Sequence, residues 1–511
     1  MKFKRPEFKR PEFKRPELKR PELKRPDLPD MPDVRTLLRH RIAILVVVLA
    51  AVAGLYGVAA ATRPGAAAAA PPVVPERLPV ESAMHACPAP SKVPGISTTV
   101  SAITPSTADR TGEGRADIRE LNAPANAPSA SLHSTGVPWY QESKGRSQPL
   151  VLHSSGTMAG GLQAEQTTVH DDYIAAERCP EPGLDFWFAA PGGAEAEALD
   201  LYLLNVDDGP AVVDVDVLTP EGRLADTSTL GLRLEPHSRQ VLPLKTVSKL
   251  AGAVALRVRT STGRVAPSLL VREGDRGTDW VPPAAQPARR VVLPGLPPGR
   301  GDRKLVVATP SDELASVHVR VITEDGAYIP DGRGEVDVAG ASTATVDLAS
   351  GLSGRAATVE LTADVPITAG LIATEGGHDG GDTAYPAAAD PVQPAGVIAD
   401  NRSGKKQATR VVMTAPTGPA TVKLTPIGPN GPGRAQTVEL PMEKTRTVKV
   451  AGPGPAGGHF AVLVEVQPGS APVYAARVLT DGDRLGVFPV VSARAWVKTP
   501  RTTDSAGALT P

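Results

Sequence analysis

Alternation of apolar and polar residues, repeated about every 105 positions, is the feature that most constrains the fold of this 511-residue chain. Residues 213–222 (VDVDVLTPEG) match residues 317–326 (VHVRVITEDG) and, more loosely, residues 422–431 (VKLTPIGPNG). A period of two puts one face of a strand on a core and the other in water. The pattern therefore predicts half-buried antiparallel strands in repeating units.

Each unit also closes on an aromatic residue near a proline, namely Trp280, Tyr385 and Phe488. The six or seven apolar runs of a unit are separated by Glu-Gly, Asp-Gly, Asn-Gly and Pro-Gly turns, a spacing typical of β-sandwiches of immunoglobulin or fibronectin III type. We predict an all-β fold with tandem sandwich units at residues 184–286, 287–392 and 393–495. Residues 87–183 are less regular, and we expect a β region that forms a fourth unit, closed by a disulfide.

The segment Ile42–Ala61 is an uncharged apolar run of 20 residues. At a rise of 1.5 Å per residue it spans roughly 30 Å as a helix, the thickness of a bilayer's hydrocarbon core. Residues 1–41 carry 14 Lys and Arg against 7 Asp and Glu, which predicts a cytoplasmic N-terminus and an extracellular C-terminal part. The alternative is a signal peptide cut near residues 58–61, which would release the rest of the chain.

The N-terminal 41 residues contain a pentapeptide repeat, FKRPE three times and then LKRPE and LKRPD. A proline in every repeat prevents a continuous helix, so we predict a disordered, extended cytoplasmic arm. The arm sets topology in the simplest interpretation. Alternatively, its Lys-Arg pairs bind anionic lipid or an acidic partner, or the arm is the output of a transmembrane sensor.

Residues 62–86 are rich in Ala and Pro and are predicted to be a linker, and residues 496–511 a disordered tail. The chain has two cysteines, Cys87 and Cys179, both on the predicted exported side. An oxidising location favours their pairing in a disulfide. Neither has the CxxC spacing that zinc or redox sites use.

Aromatic residues are scarce, which draws attention to two clusters. Residues 186–188 (FWF) match the first strand of the other units, so we predict core positions for them. Trp139 and Tyr140, flanked by polar residues, are the better candidates for an exposed platform that binds a glycan or a partner protein.

No catalytic or cofactor motif is evident in the sequence. The pentapeptide GxSxG and the motif HExxH are absent. Two fragments resemble metal sites, residues 170–172 (HDD) and 378–382 (HDGGD), but such segments between strands are usually turns. Beyond residue 41 the chain has 41 basic and 48 acidic residues, so a nucleic-acid-binding surface is not expected. We predict no enzyme activity, no cofactor and no metal.

The chain combines a cationic head, a single anchor, two Cys-Pro sites, the segment 179–188 (CPEPGLDFWF) and the strand pattern of residues 201–222. With these features it resembles the actinobacterial domain of unknown function 5719 family. The resemblance implies an envelope-associated, membrane-anchored protein, and the family has no established activity to transfer. We therefore expect a non-enzymatic scaffold or binding protein of the cell envelope, with wall glycan or envelope proteins as partners. The alternatives are an accessory protein of extracytoplasmic glycan assembly, or a secreted binding protein if the anchor is cleaved.

Overall fold

The computed structural model describes residues 34–61, 77–89, 96–106, 112–124, 130–144, 148–376, 381–454 and 458–498. Helix α1 covers Val34–Ala61, and its segment Ile42–Ala61 has a mean hydropathy of 2.7 with all side chains exposed. The predicted apolar segment is thus one helix that is long and apolar enough to cross a membrane. The helix begins within the predicted arm, because no proline follows Pro32 in this stretch. The pentapeptide repeats lie outside the described residues.

Residues 75–500 form a separate compact unit built from strands, which confirms the all-β prediction. We call its four pairs of sheets the first to fourth sandwich. The first contains β2 to β9 and follows a short strand, β1: β1 (Arg77–Pro79), β2 (Ser82–Cys87), β3 (Ser97–Ile103), β4 (Gly114–Glu120), β5 (Ala130–Leu132), β6 (Trp139–Lys144), β7 (Leu150–Gly156), β8 (Gln163–Val169) and β9 (Ile174–Arg178). Its sheets have the strand orders β2-β7-β4-β5 and β6-β3-β8-β9.

The second sandwich shows why the alternating pattern folds as it does. Its strands are β10 (Asp185–Pro191), β11 (Ala198–Asn205), β12 (Ala211–Thr219), β13 (Gly222–Arg223), β14 (Leu232–Leu234), β15 (Ser238–Pro243), β16 (Ala253–Thr262), β17 (Ala266–Arg272) and β18 (Thr278–Val281). The sheets have the orders β10-β16-β12-β13, with β14 also on β12, and β15-β11-β17-β18. On β12 the valines 213, 215 and 217 are buried in a core shared by both sheets, whereas the two aspartates between them are partly exposed.

The third sandwich is joined by one long strand. Its elements are β19 (Ala288–Leu296), β20 (Arg303–Ala308), β21 (Ala315–Ile322), β22 (Ala327–Tyr328), β23 (Glu335–Val338), β24 (Thr343–Asp347), the single-turn helix α2 (Ala349–Leu352), β25 (Ala357–Glu375) and β26 (Asp382–Ala384). The first half of β25 pairs with β19 and β21, and the second half pairs with β20 and β26. β25 therefore passes from one sheet to the other.

The fourth sandwich has the same strand order as the second. Its strands are β27 (Ala395–Arg402), β28 (Gln407–Thr414), β29 (Ala420–Gly428), β30 (Gly431–Pro432), β31 (Gln436–Leu440), β32 (Thr445–Val450), β33 (His459–Val466), β34 (Tyr474–Asp481) and β35 (Arg484–Pro489), followed by β36 (Trp496–Lys498). The sheets have the orders β27-β33-β29-β30, with β31 also on β29, and β32-β28-β34-β35.

The repeated sequence segments occupy matching strands, β12, β21 and β29. The chain later crosses from one sheet to the other, from β14 to β15, from β23 to β24 and from β31 to β32. In each of these turns a non-glycine residue takes the left-handed conformation: His237 and Ala341 at φ +51°, and Glu443 at φ +58°. The three closing aromatics, predicted from the repeat, are all buried. The second, third and fourth sandwiches thus share their turn geometry as well as their strand pattern.

β1 and β36 pair with each other in antiparallel register, Arg77 opposite Lys498 and Pro79 opposite Trp496. This ribbon brings the two ends of the compact unit together. It differs from the sequence expectation, because β1 and all of β2 except Cys87 lie in the segment 62–86 assigned to the linker, and β36 lies in the segment assigned to the tail. A three-residue strand is too short to show an alternating pattern, and its partner is at the opposite end of the unit.

Candidate functional site

Four edge strands, one from each sandwich, meet at one place: β9, β18, β26 and β35. β9 contacts β18 and β35, and β26 contacts the same two strands, so the four strands form a closed ring. We call this the junction ring. An edge strand carries N–H groups that have no partner in its own sheet, and burying such a group unpaired is costly. The ring therefore needs hydrogen-bond acceptors from neighbouring sandwiches.

Asp382, on β26, supplies acceptors to two other sandwiches at once. Its side chain is fully buried. Its Oδ2 accepts the backbone N–H of Ile174 at 2.9 Å and that of Leu485 at 2.8 Å. Ile174 lies on β9 and Leu485 on β35. One carboxyl group therefore satisfies the edges of the first and fourth sandwiches from the third.

Two further acids act in the same way. Asp279 on β18 accepts the N–H of Ala176 on β9 at 2.8 Å. Glu165 on β8 accepts the N–H groups of Ala399 and Asp400, on β27, at 2.8 Å each. Both acids are buried. Acidic side chains thus connect the first sandwich to the second, third and fourth through backbone amides.

A buried cation lies beside these acids. Arg477 on β34 is fully buried, and its guanidinium carbon is 4.1 Å from the ring centroid of Phe488. None of its three side-chain nitrogens has a hydrogen-bond partner in the described part of the chain. Burial lowers the pKa of Arg477, while the charges of Glu165, Asp400 and Asp279 oppose this shift. The positive charge of Arg477 therefore interacts with these acids without hydrogen bonds, and it also lies over the aromatic ring of Phe488.

We call Glu165, Glu177, Asp279 and Asp382 the junction acids, and burial is the largest cause of their raised pKa values. It raises the pKa of Glu165 to about 7 and the pKa values of Glu177 and Asp382 to about 8. The pKa of Asp279 is also raised, by burial and by the nearby Asp382. Glu177 and Asp382 are therefore largely protonated at neutral pH. Because these acids face neighbouring sandwiches rather than solvent, their arrangement supports the packing of the unit.

Sequence reasoning missed the junction acids. Asp279 and Asp382 look like turn residues, since each stands close to a Gly in a polar segment. The one local signal is their position just before the closing aromatic, in Asp279-Trp280 and in Asp382-Thr-Ala-Tyr385. That signal becomes informative only when the edge strands are known to meet.

Tyr140, a candidate for an exposed platform, lies beside the fourth sandwich. Its ring centroid is 5.1 Å from that of His459, and its hydroxyl is buried. His459 Nδ1 lies 2.8 Å from a carboxylate oxygen of Asp400. Burial alone would raise the pKa of Asp400, but Arg402 and His459 hold it well below its usual range. Tyr140 is thus half-buried against an ionised network.

The other aromatic candidates are also mostly covered. Trp139 is half-buried and packs against the core of the first sandwich. Phe188 lies in the core of the second sandwich, and Trp187, on the opposite face of β10, packs with the core residues of the third. The FWF cluster therefore has core positions. A platform role for Trp139 and Tyr140 stays a prediction.

Cys87 and Cys179 form a disulfide, as predicted. Cys87 ends β2 in one sheet of the first sandwich, and Cys179 follows β9 in the other. The bond therefore links the two sheets directly behind a strand of the junction ring.

The described residues contain no group of three or more His, Cys, Asp or Glu side chains placed to hold a metal ion. Of the two metal-like fragments, residues 170–172 form part of the turn before β9, where the His170 ring stacks on Tyr173 at 4.8 Å. In the second fragment Asp382 belongs to the junction ring, and His378 lies outside the described residues.

An open groove of about 1150 Å³ lies beside the β1–β36 ribbon, and we call it the terminal groove. Its apolar lining includes Ala395, Leu463 and Trp496. Its lining also includes polar side chains, among them Gln393, Gln467 and Ser470. Several lining residues are exposed, so the groove is an accessible cleft and not a closed cavity.

Three basic residues, Arg77, Arg494 and Lys498, line the terminal groove. Arg77 lies over the indole of Trp496, with 5.3 Å between its guanidinium carbon and the ring centroid. Within the described ranges, no acidic side chain forms an ion pair with any of the three. The acid of the groove, Glu465, pairs with Lys423 at 3.1 Å. The groove therefore combines an aromatic ring, amides and unneutralised positive charge.

Taken together, the fold and these sites define an all-β protein of four packed sandwiches with one helix of membrane-spanning length. The profile of a family of unknown function, DUF5719, matches residues 140–451, which is more than half of the chain. The chain belongs to this family. No curated protein matches it.

Two solved structures give only distant likenesses. An α-L-rhamnosidase from Streptomyces avermitilis, complexed with L-rhamnose, has 12% identity and a TM-score of 0.11 over 80% of this chain and 57% of the rhamnosidase. A tetra-tandem repeat from the extending region of a large adhesion protein has 10% identity and a TM-score of 0.08 over 82% of this chain and 100% of the repeat. The chain spans little more than half the length of the rhamnosidase, and these TM-scores carry no argument about function.

Proposed function

We propose that this protein is a non-enzymatic, membrane-anchored binding or scaffold protein of the bacterial cell envelope, with its tandem immunoglobulin-like sandwiches outside the cytoplasm. The observation that carries the proposal is the helix segment Ile42–Ala61, which is apolar along its whole length and exposed. The excess of positive charge before it favours a cytoplasmic N-terminus. The disulfide supports an oxidising location for the compact unit.

The packing of the compact unit supports a display role. The four sandwiches share buried hydrogen bonds across the junction ring, so the unit is well suited to hold a binding surface in a fixed geometry. Asp382, Asp279 and Glu165, whose pKa values are raised by burial, accept hydrogen bonds from backbone amides of neighbouring sandwiches. This supports a structural role for them.

Crosslinking in cells, with mass spectrometry of the species captured by the tagged full-length protein, tests the proposal. We expect a reproducible set of envelope proteins or wall fragments crosslinked to residues 77–498. A control chain whose apolar helix is replaced by a cleavable signal peptide should lose the membrane-embedded partners. Capture of cytoplasmic proteins by the sandwiches would contradict the proposal. Recovery of the protein free in the medium would favour a secreted binding protein.

A further inference from the structure

We propose that the terminal groove binds an acidic polysaccharide, with Trp496 as the surface on which a sugar ring stacks and with Arg77, Arg494 and Lys498 as partners of its anionic groups. This inference rests on the proposed function and names the class of ligand. Of its residues, Arg77 was predicted to lie in a linker, Trp496 and Lys498 in a tail, and Arg494 at the end of the last sandwich unit.

The shape of the groove suits a chain of sugar units. Its volume of about 1150 Å³ is slightly larger than that of typical ligand sites, which is about 300–1,000 Å³. The exposure of Gln393 and Pro394 on one side and of Pro468 and Gly469 on another leaves it open. An open cleft of this size can accept an internal segment of a polymer, which a closed cavity cannot.

The lining has the chemistry that sugar binding requires. The half-buried indole of Trp496 offers a flat apolar surface together with an N–H donor. The guanidinium carbon of Arg77 lies 5.3 Å from the centroid of this ring, which is within the range of a cation–π contact. The side chains of Gln393, Gln467 and Ser470 provide donors and acceptors for hydroxyl groups.

Charge selects an acidic ligand over a neutral one. Within the described ranges, the three basic residues of the groove have no acidic ion-pair partner, and Glu465 forms an ion pair with Lys423. The chain beyond residue 41 has an excess of acidic residues, whereas the lining of the groove has three basic residues and one acid. A neutral glycan has no anionic groups that could pair with the three basic side chains. A bilayer surface would not enter the cleft, in which Leu463 and Ala395 are half-buried.

The test uses the full chain in nanodiscs of phosphatidylcholine, a lipid without net charge. The probes are polygalacturonate, whose charges are carboxylates, dextran phosphate, whose charges are phosphates, and neutral pullulan. We expect binding to at least one acidic polymer, no binding to pullulan, and weaker binding as salt rises. The two acidic probes distinguish carboxylate from phosphate recognition.

Matched variants locate the site. The double variant R494A/K498A should weaken binding about tenfold, because it removes two exposed charge contacts. The control K405A/K406A removes two exposed lysines of the same sandwich outside the groove and should bind like the wild type. Trp496→Ala should abolish binding, and Trp496→Phe should retain part of it. Since Arg494 and Lys498 are exposed, their removal leaves the fold intact.

Equal binding by the two double variants, equal binding of pullulan, or no binding of either acidic polymer would overturn the inference. Binding to vesicles of anionic phosphatidylglycerol but to no polymer would also overturn it. If crosslinking finds envelope partners while no polymer binds, only the ligand assignment fails. If a polymer binds but the sandwiches are found in the cytoplasm, the proposed function fails.

Discussion

Replacing the buried acid Glu177 with glutamine should change how stability depends on pH. Glu177 lies on β9, is 2% exposed, and neither of its oxygens has a hydrogen-bond partner in the described part of the chain. Burial raises its pKa from 4.5 to about 8, while Ser268 and Arg178 only partly oppose the shift. The folded protein therefore keeps this proton at pH values where the unfolded chain has released it.

The sign of the effect follows from proton linkage. Between the unfolded pKa of 4.5 and the folded pKa of about 8, the folded state binds more protons, so the free energy of unfolding falls as pH rises. One pKa unit corresponds to about 1.4 kcal/mol. Between pH 5 and pH 8 Glu177 should therefore reduce the stability of the wild type by about 3 kcal/mol. Glutamine has nearly the same shape and does not titrate, so E177Q should lose less stability over this range.

Guanidinium unfolding of the full chain in neutral nanodiscs at pH 5 and pH 8, followed by tryptophan fluorescence, measures this difference. The comparison is between the two pH slopes, because any cost of burying the amide is the same at both pH values. The exposed Glu313→Gln is the control and should keep the wild-type slope. Equal slopes for E177Q and the wild type would refute the burial argument. Glu165 and Asp382 should leave a residual slope of the same sign.

Three further changes test other parts of the fold. Replacing both cysteines with serine should lower the free energy of unfolding by about 2–5 kcal/mol, measured by denaturation with and without reductant; no change would contradict a stabilising disulfide. Asp382→Ala should leave the amides of Ile174 and Leu485 unpaired and lower the free energy of unfolding by about 2–4 kcal/mol. Hydrogen exchange should become faster at these two amides but not in β14; unchanged exchange at both amides would contradict the capping role. Ala341→Gly should raise the melting temperature, because it relieves about 1 kcal/mol of strain at φ +51°; a lower melting temperature would contradict this.

The strands of the repeat could be predicted because their pattern reflects a half-buried position. On β12 the inward valines and the partly exposed aspartates alternate along the sequence as they do in the structure. The left-handed position of Ala341, in contrast, has no local signal, since an alanine rarely adopts this conformation. It becomes visible only through the match with His237 and Glu443.

The junction ring could not be predicted because its strands are buried on both faces and at their edges. β9 has the sequence IAAER, in which Glu177 and Arg178 look like surface residues. Glu177 is nonetheless buried, and β9 contacts β18 and β35 of two other sandwiches. No local pattern encodes such contacts. Asp382 likewise depends on partners 103 and 208 residues away.

The terminal groove was missed for a related reason. Arg77 lies in a proline-rich segment and Trp496 near the end of the described chain, and each segment alone looks like an irregular connection. Only the pairing of β1 with β36 places these residues together. A single tryptophan within a polar segment is the weak signal that the sequence did contain.

Topology reporters test directly whether the helix anchors the sandwiches outside the cytoplasm. Alkaline phosphatase, which is active only outside the cytoplasm, is fused to either end of the full chain, and membranes are washed with carbonate. We expect an active C-terminal fusion, an inactive N-terminal fusion, and retention of both in the washed membranes. An inactive C-terminal fusion together with an active N-terminal fusion, or release of the C-terminal fusion into the medium, would contradict this expectation.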